Sequence, residues 1–185
     1  MNKKESHQIQ KRIAVYNMIP NILWSVIFLS PISVFCYYYM NLKWILIFLA
    51  ISVRTLGRPN SLFMLGQLGK NLSAYEKKGI LFINKFTQNG NIINQIIRKK
   101  YPDYKLISKK NTSLKKLSNQ TYMFEKFHFL LFIFFMLTST YSVLHSFYGW
   151  TVLITIGNVF YNIYPILLQQ YIRLRLSSIR KKIRS

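Results

Sequence analysis

The sequence predicts an all-α, polytopic membrane protein: two helical hairpins, about four transmembrane helices in all, with a basic interfacial segment between them. Of the 185 residues, 51% are hydrophobic, and the apolar run 129–168 is long enough for two passes of about 20 residues each. The formal net charge is nevertheless +22, and the acidic residues are Glu5, Glu76, Asp103 and Glu125 alone. Basic stretches between apolar runs are typical of segments that lie against an anionic leaflet.

Other classes of protein fit the composition less well. A basic soluble protein would suggest a nucleic-acid partner, but the apolar runs 45–53 and 127–143 interrupt the positive charge, and the central aromatics lack a base-stacking pattern. Cys36 is the single cysteine, which excludes an internal disulfide framework. No HExxH, Gly-rich phosphate loop, GxSxG elbow or cluster with metal-ligand spacing occurs, so no bound metal or cofactor is expected.

Residues 1–56 predict an N-terminal transmembrane hairpin. The run 18–40 is too long for the core of a signal peptide and predicts a first span, kinked near Pro31. The run 44–53 is short for a crossing. It either spans, with Lys43 snorkelling outward, or forms a re-entrant segment, and the distribution of positive charge favours spanning.

Residues 57–124 predict short amphipathic helices on the membrane surface. Apolar residues recur at helical spacing in 72–85 and share one side of 92–100, with a turn signal at 89–90. A helix from 113 to 126 is expected to continue into the third span. Because these pieces cannot build an independent core, we expect them to lie on the bilayer with Lys and Arg toward anionic headgroups.

The Lys and Arg residues also predict the topology. They group in the N-terminus, the central segment and the tail after Arg173, whereas the proposed outer turns 41–43 and 146–149 hold one positive residue between them. By the positive-inside rule, four passes leave both termini and the central segment in the cytoplasm. Residues 125–185 then form a C-terminal transmembrane hairpin with a basic tail.

Polar residues at the ends of apolar runs are candidates for chemistry. Glu125 and His128 are three residues apart on one helix face, where the carboxylate can orient the imidazole as a general base on a substrate hydroxyl. An anchor at the headgroup level is the alternative. In the last span, Pro165 frees a backbone carbonyl between Asn162 and Gln169. We expect the His128 ring to lie nearer to Gln169 than to Asn162, although interhelical hydrogen bonding would also explain these residues.

Further candidates are charged. Glu76 and Asp103 are half of the acids, and Arg98 opens the basic stretch that ends at Asp103. A solvated helix face and a helix cap are the alternatives for the two acids. Arg173 and Arg175 either stop transfer across the membrane or grip phosphates of an acyl donor or a lipid head.

In their order along the chain, these pieces resemble the small membrane glycosyl-diaponeurosporenoate acyltransferases of carotenoid (staphyloxanthin-type) biosynthesis. The similarity covers about residues 50–176. It rests on Tyr75-Glu76-Lys77-Lys78-Gly79, the stretch Arg98–Asp103, Glu125-x-x-His128, and Asn162, Pro165 and Gln169–Arg175. The basic stretch lacks the family's Trp, and Tyr104, Gln170 and Ile172 stand where the family has Gly, Arg and Asn.

The resemblance implies a protein of the bacterial cell membrane that transfers an acyl group to a hydroxyl of a membrane lipid or glycolipid, such as a glycosylated carotenoid. Acyl-CoA or another acyl donor is the implied co-substrate. His128 and Glu125 are the implied catalytic residues, and the implied substrate-binding residues are Glu76, Arg98, Asp103, Asn162, Gln169, Arg173 and Arg175. The alternative is a non-enzymatic small membrane protein, such as a bacteriocin-immunity or transporter-accessory subunit. The oligomeric state is not predicted.

Overall fold

The computed structural model describes residues 3–57, 67, 69, 71–87, 90–101 and 111–184, and the regular elements among these residues are all helices, with no β-strand. The elements are α1 (Lys3–Tyr39), α2 (Leu42–Arg54) with a 3-10 turn (Thr55–Gly57), α3 (Leu72–Glu76), α4 (Ile80–Lys85), α5 (Asn91–Lys100), α6 (Asn111–Leu144), α7 (Tyr148–Asn158), a π-helix (Val159–Ile163) and α8 (Tyr164–Arg184). The last three follow one another without a break and form one last helix. The all-α prediction is confirmed.

Three helices are long and apolar enough to cross a membrane: Lys11–Tyr39, Leu114–Leu144 and Tyr148–Lys181. They correspond to the predicted first span and to the two predicted passes of the run 129–168, and they indicate a membrane protein. The 13 residues of α2 rise about 20 Å, which is short of a hydrocarbon core of about 30 Å. The fourth crossing therefore stays a prediction.

The largest apolar core lies where α1, α2, α6 and the last helix meet. It joins Phe35 of α1, Phe48 of α2, Phe135 of α6, and Ile154 and Tyr161 of the last helix. α2 packs along α6, and α1 packs on α7 and the π-helix. The two helices of the predicted N-terminal hairpin thus pack on different C-terminal helices, α2 on α6 and α1 on the last helix. Both C-terminal helices offer them an apolar surface.

A tight turn makes α6 and α7 antiparallel neighbours. Ser146 adopts the left-handed conformation with φ 62°, and the Phe147 amide donates to the Ser142 carbonyl at 2.9 Å. This is the pattern of a helix that ends on a left-handed residue, a role that usually falls to glycine. The turn was predicted over 146–149, but Tyr148 and Gly149 already belong to α7.

The predicted helix 72–85 is divided at Gly79, whose φ of 77° is a left-handed conformation that glycine adopts without strain. α3 and α4 then pack on α8, and α5 packs on the N-terminal part of α1. The buried contacts are Tyr75 and Ile80 with Leu168 and Tyr171 for the first pair, and Ile93 and Ile97 with Ile13 for the second. The central helices are thus anchored to the membrane helices at one end of the bundle.

Candidate functional site

A buried ion pair joins α6 to α8. Glu125 is 1% exposed and Arg173 6%. Glu125 Oε2 pairs with Arg173 Nη1, while Gln170 Nε2 donates to Glu125 Oε1 at 2.7 Å. The guanidinium carbon also lies 4.0 Å from the centroid of the Tyr122 ring. Because a buried charge is costly unless it is paired and hydrogen-bonded, these contacts hold the two helices together at this level.

Two consecutive residues of α3 bind two consecutive residues of α8. The Tyr75 hydroxyl lies 3.1 Å from Gln170 Oε1 and 3.4 Å from the Gly69 carbonyl. The Tyr171 hydroxyl donates to Glu76 Oε1 at 3.1 Å. Gln170 therefore connects Tyr75 to Glu125, and the two motifs that lie far apart in the sequence meet at one place.

Arg173 keeps unused hydrogen-bonding capacity. A guanidinium carries five N–H donors, yet Nε and Nη2 have no hydrogen-bond partner within the described chain. The Tyr122 ring and the Glu125 carboxylate fix the plane of the group. Planar donors held in this way suit a bidentate bond to a phosphate or carboxylate.

His128 lies one turn further along α6, about 4.5 Å from Glu125 along the axis. Its ring meets the Tyr161 ring edge to face, with 5.7 Å between centroids. It is also within reach of the Asn162 side chain and the Tyr161 backbone. His128 Nδ1 and Asn162 Oδ1 both lack a hydrogen-bond partner among the residues described. Each of these two atoms therefore keeps unused hydrogen-bonding capacity.

The π-helix brings the backbone of the last helix toward His128. The Tyr164 amide bonds to the Val159 carbonyl, five residues earlier, and Pro165 has no N–H with which to continue the ladder. Proline therefore leaves a carbonyl one turn before it without its helical donor. Single π-turns inside α-helices are frequent at functional sites, and this one carries Tyr161 and Asn162.

Tyr161 is hydrogen-bonded to α1, and Asn162 is linked to α6 through Asn158. Asn162 Nδ2 donates to Asn158 Oδ1 at 2.8 Å, and Asn158 Nδ2 donates to the Phe132 carbonyl of α6 at 3.2 Å. The Tyr161 and Ser25 hydroxyls lie 2.8 Å apart, so α1 also contributes. The site therefore draws on residues well before the C-terminal hairpin.

Two expected contacts differ in the structure. Glu125 does not hydrogen-bond to His128, because the oppositely charged Arg173 and the Gln170 amide take its oxygens. The expectation that the His128 ring lies nearer to Gln169 than to Asn162 is wrong. The ring is within reach of Asn162, about 10 Å along the helix from Gln169, and the Gln169 side chain makes no hydrogen bond with any residue described.

The remaining predicted residues are dispersed. Arg98 is exposed at the end of α5. Glu76 and Arg175 are exposed near Tyr171. Asp103 lies outside the described residues.

The structure adds Gln170, Tyr75, Tyr122, Asn158 and Tyr161 to the predicted site residues. A signal for Gln170 exists in the sequence, since it lies three residues before Arg173 and thus on the same side of the helix. Tyr161 carries no such signal, because its approach to His128 depends on the π-turn and on Ser25 of a distant helix.

A comparison with protein families covers the three elements whose motifs meet at this site, α3, α6 and the last helix. The model of the glycosyl-4,4'-diaponeurosporenoate acyltransferase family matches residues 59–182, about two thirds of the chain. No curated protein and no solved structure matches. The matched part includes α3, α6 and the last helix, which supply the ion pair, His128 and Asn162, and it leaves out α1 and α2. The chain belongs to the glycosyl-4,4'-diaponeurosporenoate acyltransferase family.

Proposed function

We propose that the protein is an integral membrane acyltransferase that esterifies a hydroxyl of a membrane lipid or glycolipid. The family's name suggests a glycosylated carotenoid as the acceptor. The observation that carries the proposal is the pair of His128 Nδ1 and Asn162 Oδ1, two polar atoms that are buried between α6 and the last helix without a hydrogen-bond partner in the described structure. Buried polar atoms normally have partners, and a substrate with two neighbouring hydroxyls would donate one O–H to each of these acceptors.

In the proposed reaction His128 is the general base. Nδ1 takes the proton of the acceptor hydroxyl while the hydroxyl oxygen attacks the acyl carbonyl carbon of the donor. The new ester C–O bond forms, the bond from the acyl carbon to the leaving group breaks, and the imidazolium returns the proton to that group. Since Asn162 Nδ2 already donates to Asn158, its free Oδ1 suits a neighbouring hydroxyl of the acceptor better than an oxyanion.

The acyl donor is proposed to carry a phosphate, as acyl-CoA does, and to bind at Arg173. What supports this is the pair of unused donors, Nε and Nη2, on a guanidinium that is held from two sides. Arg175 is exposed and lies two residues after Arg173. It adds positive charge near the same end of α8. In this arrangement Glu125, directly, and Gln170, through Glu125, hold the Arg173 guanidinium in place. They influence His128 only through the packing of α6 against α8.

Lipid analysis of cells with and without the protein tests the proposal. An acylated lipid should be present with the native chain and should fall about 100-fold in His128→Gln, since this is the contribution typical of a general base. The matched control is His145→Gln, which changes the same residue type just past the opposite end of α6 and should keep the product.

Both variants must reach the membrane in native amounts. Full product in His128→Gln would overturn the role of the base. No difference in any lipid between cells with and without the native chain would favour a non-enzymatic membrane subunit.

A further inference from the structure

The outer face of α4 and α5 is apolar and has no protein covering it in the described structure. We call this the hairpin face: Leu81, Phe82, Phe86, Ile92 and Ile96, with exposed fractions of 39–60%. Contiguous exposed apolar patches mark an interaction surface. The hairpin face is therefore a candidate interaction surface.

The buried sides of the two helices are apolar as well, and on α5 the buried isoleucines continue the same apolar stripe as Ile92 and Ile96. Ile80 and Ile83 of α4 are buried, and so are Ile93 and Ile97 of α5. The first turn of α4, from Ile80 to Ile83, is thus apolar all round, and such a turn belongs in a core or in lipid rather than in water. Since the inner sides are already used to pack on α8 and α1, lipid is the environment that suits the hairpin face.

A hydrogen bond between Trp24 and Phe86 shows at which level along α1 the turn between α4 and α5 lies. Trp24 Nε1 donates to the Phe86 carbonyl at 3.0 Å. Trp24 lies fifteen residues before Tyr39, about 22 Å along the helix, and the exposed Tyr37 and Tyr38 mark the far membrane boundary as aromatic residues commonly do. With a hydrocarbon core of about 30 Å, Trp24 lies inside the near boundary. Phe86 is therefore at or just below that boundary.

The basic residues of the hairpin lie slightly higher. α5 packs on Ile13, about 39 Å from Tyr39 along α1, which is the level of the headgroups. Arg98, Lys99 and Lys100 form the last turn of α5, and Lys85 lies 5.9 Å from the centroid of the Phe82 ring. Neither helix contains an acidic residue, so the partner of this layer is expected to be negatively charged.

We infer that α4 and α5 form a monotopic unit embedded in an anionic leaflet, with Leu81, Phe82 and Phe86 among acyl chains, Ile92 and Ile96 at the acyl side of the headgroup boundary, and the basic residues among lipid phosphates. Aromatic and aliphatic side chains below a row of cations are typical of helices that lie in the interface. The inference is independent of the proposed reaction, because none of these residues belongs to the His128 site.

Spin labels on the full-length protein test the inference. In a Cys36→Ser background, labels are placed at Phe82→Cys and Ile96→Cys, with Asn91→Cys as the control on another side of α5. The protein is reconstituted into nanodiscs of phosphatidylcholine with phosphatidylglycerol. Power saturation should show the first two labels several-fold more accessible to oxygen than to an aqueous nickel complex, and the control label the reverse.

Three results would overturn the inference. The first is equal access of the nickel complex to all three labels, which would place the hairpin in water. The second is dipolar broadening between labels at position 82, which would assign the face to a second copy of the chain. The third is an unchanged depth in pure phosphatidylcholine, because loss of the anionic lipid should raise the Ile96 label toward water.

Discussion

Single residues determine how strongly α6 and α8 are joined. The Glu125 carboxylate has two different partners on α8, the Arg173 guanidinium and the Gln170 amide. Replacing a buried ion pair with apolar groups is often neutral, whereas removing one partner leaves the other charge uncompensated and costs about 3–5 kcal/mol. Removing both charges of this site should therefore change the stability of the fold little, whereas removing either charge alone should lower it.

We expect Arg173→Met to lower the free energy of unfolding in detergent by about 3 kcal/mol. Adding Glu125→Gln to it should restore most of the lost stability, because a neutral amide then replaces the unpaired buried carboxylate. The control is Arg175→Met, an exposed position where a change within about 0.5 kcal/mol is expected. Denaturant titrations followed by tryptophan fluorescence provide the measurement. Equal effects of the Arg173 and Arg175 variants would show that the pair contributes little.

At the scale of the element, the π-helix determines which side of the last helix faces His128. One extra residue in a helical turn rotates everything after it by about 100° relative to a regular helix. Asn162 and Tyr161 lie within the π-turn, and Gln170 and Arg173 follow it. Both halves of the candidate site therefore depend on the same local irregularity.

We expect Pro165→Ala to relax the π-turn toward a regular α-helix, because alanine restores the missing N–H donor. Hydrogen exchange of the amides over 159–164 should slow, while formation of the acylated lipid should fall as Asn162 turns away from His128. Pro31→Ala in α1 is the matched control and should leave the product unchanged. Faster exchange together with full product would contradict this role of the π-turn.

At the scale of the whole molecule, the path of α2 determines the membrane topology. Its 13 residues are short for a crossing, but it packs along α6, a helix long enough to span. If α2 crosses, the 3-10 turn after it lies on the same side of the membrane as the start of α6. The positive residues of the central segment then lie in the cytoplasm, as the charge bias requires.

Cysteine labelling in a Cys36→Ser background decides this topology. Ser146→Cys should react with a membrane-impermeant maleimide in intact cells, and Ser113→Cys should react only after permeabilisation. Gly57→Cys should behave like Ser113→Cys, and it is a suitable site because a Cβ there has no neighbour within 4 Å. A Gly57 label in intact cells would show that α2 does not cross.

Much of the fold follows from the sequence. Length and hydropathy predict the long helices, since in lipid the backbone must satisfy its own hydrogen bonds and a helix does so within one segment. The sequence also predicts where a candidate site would lie, because Glu125, His128, Asn162 and Arg173 are polar residues where apolar ones would suit the membrane better. The break at Gly79 was missed, since a helical spacing of apolar residues persists across it.

Only the tertiary structure decided which of these residues meet. The partner of Glu125 proved to be Arg173 rather than His128, and the partner of His128 proved to be Asn162 rather than Gln169. Spacing along one helix places side chains on a face, but the choice of partner depends on the depth and rotation of the opposing helix. Here the π-turn before Pro165, together with the Ser25–Tyr161 contact from α1, determines both, and neither follows from a regular helical repeat.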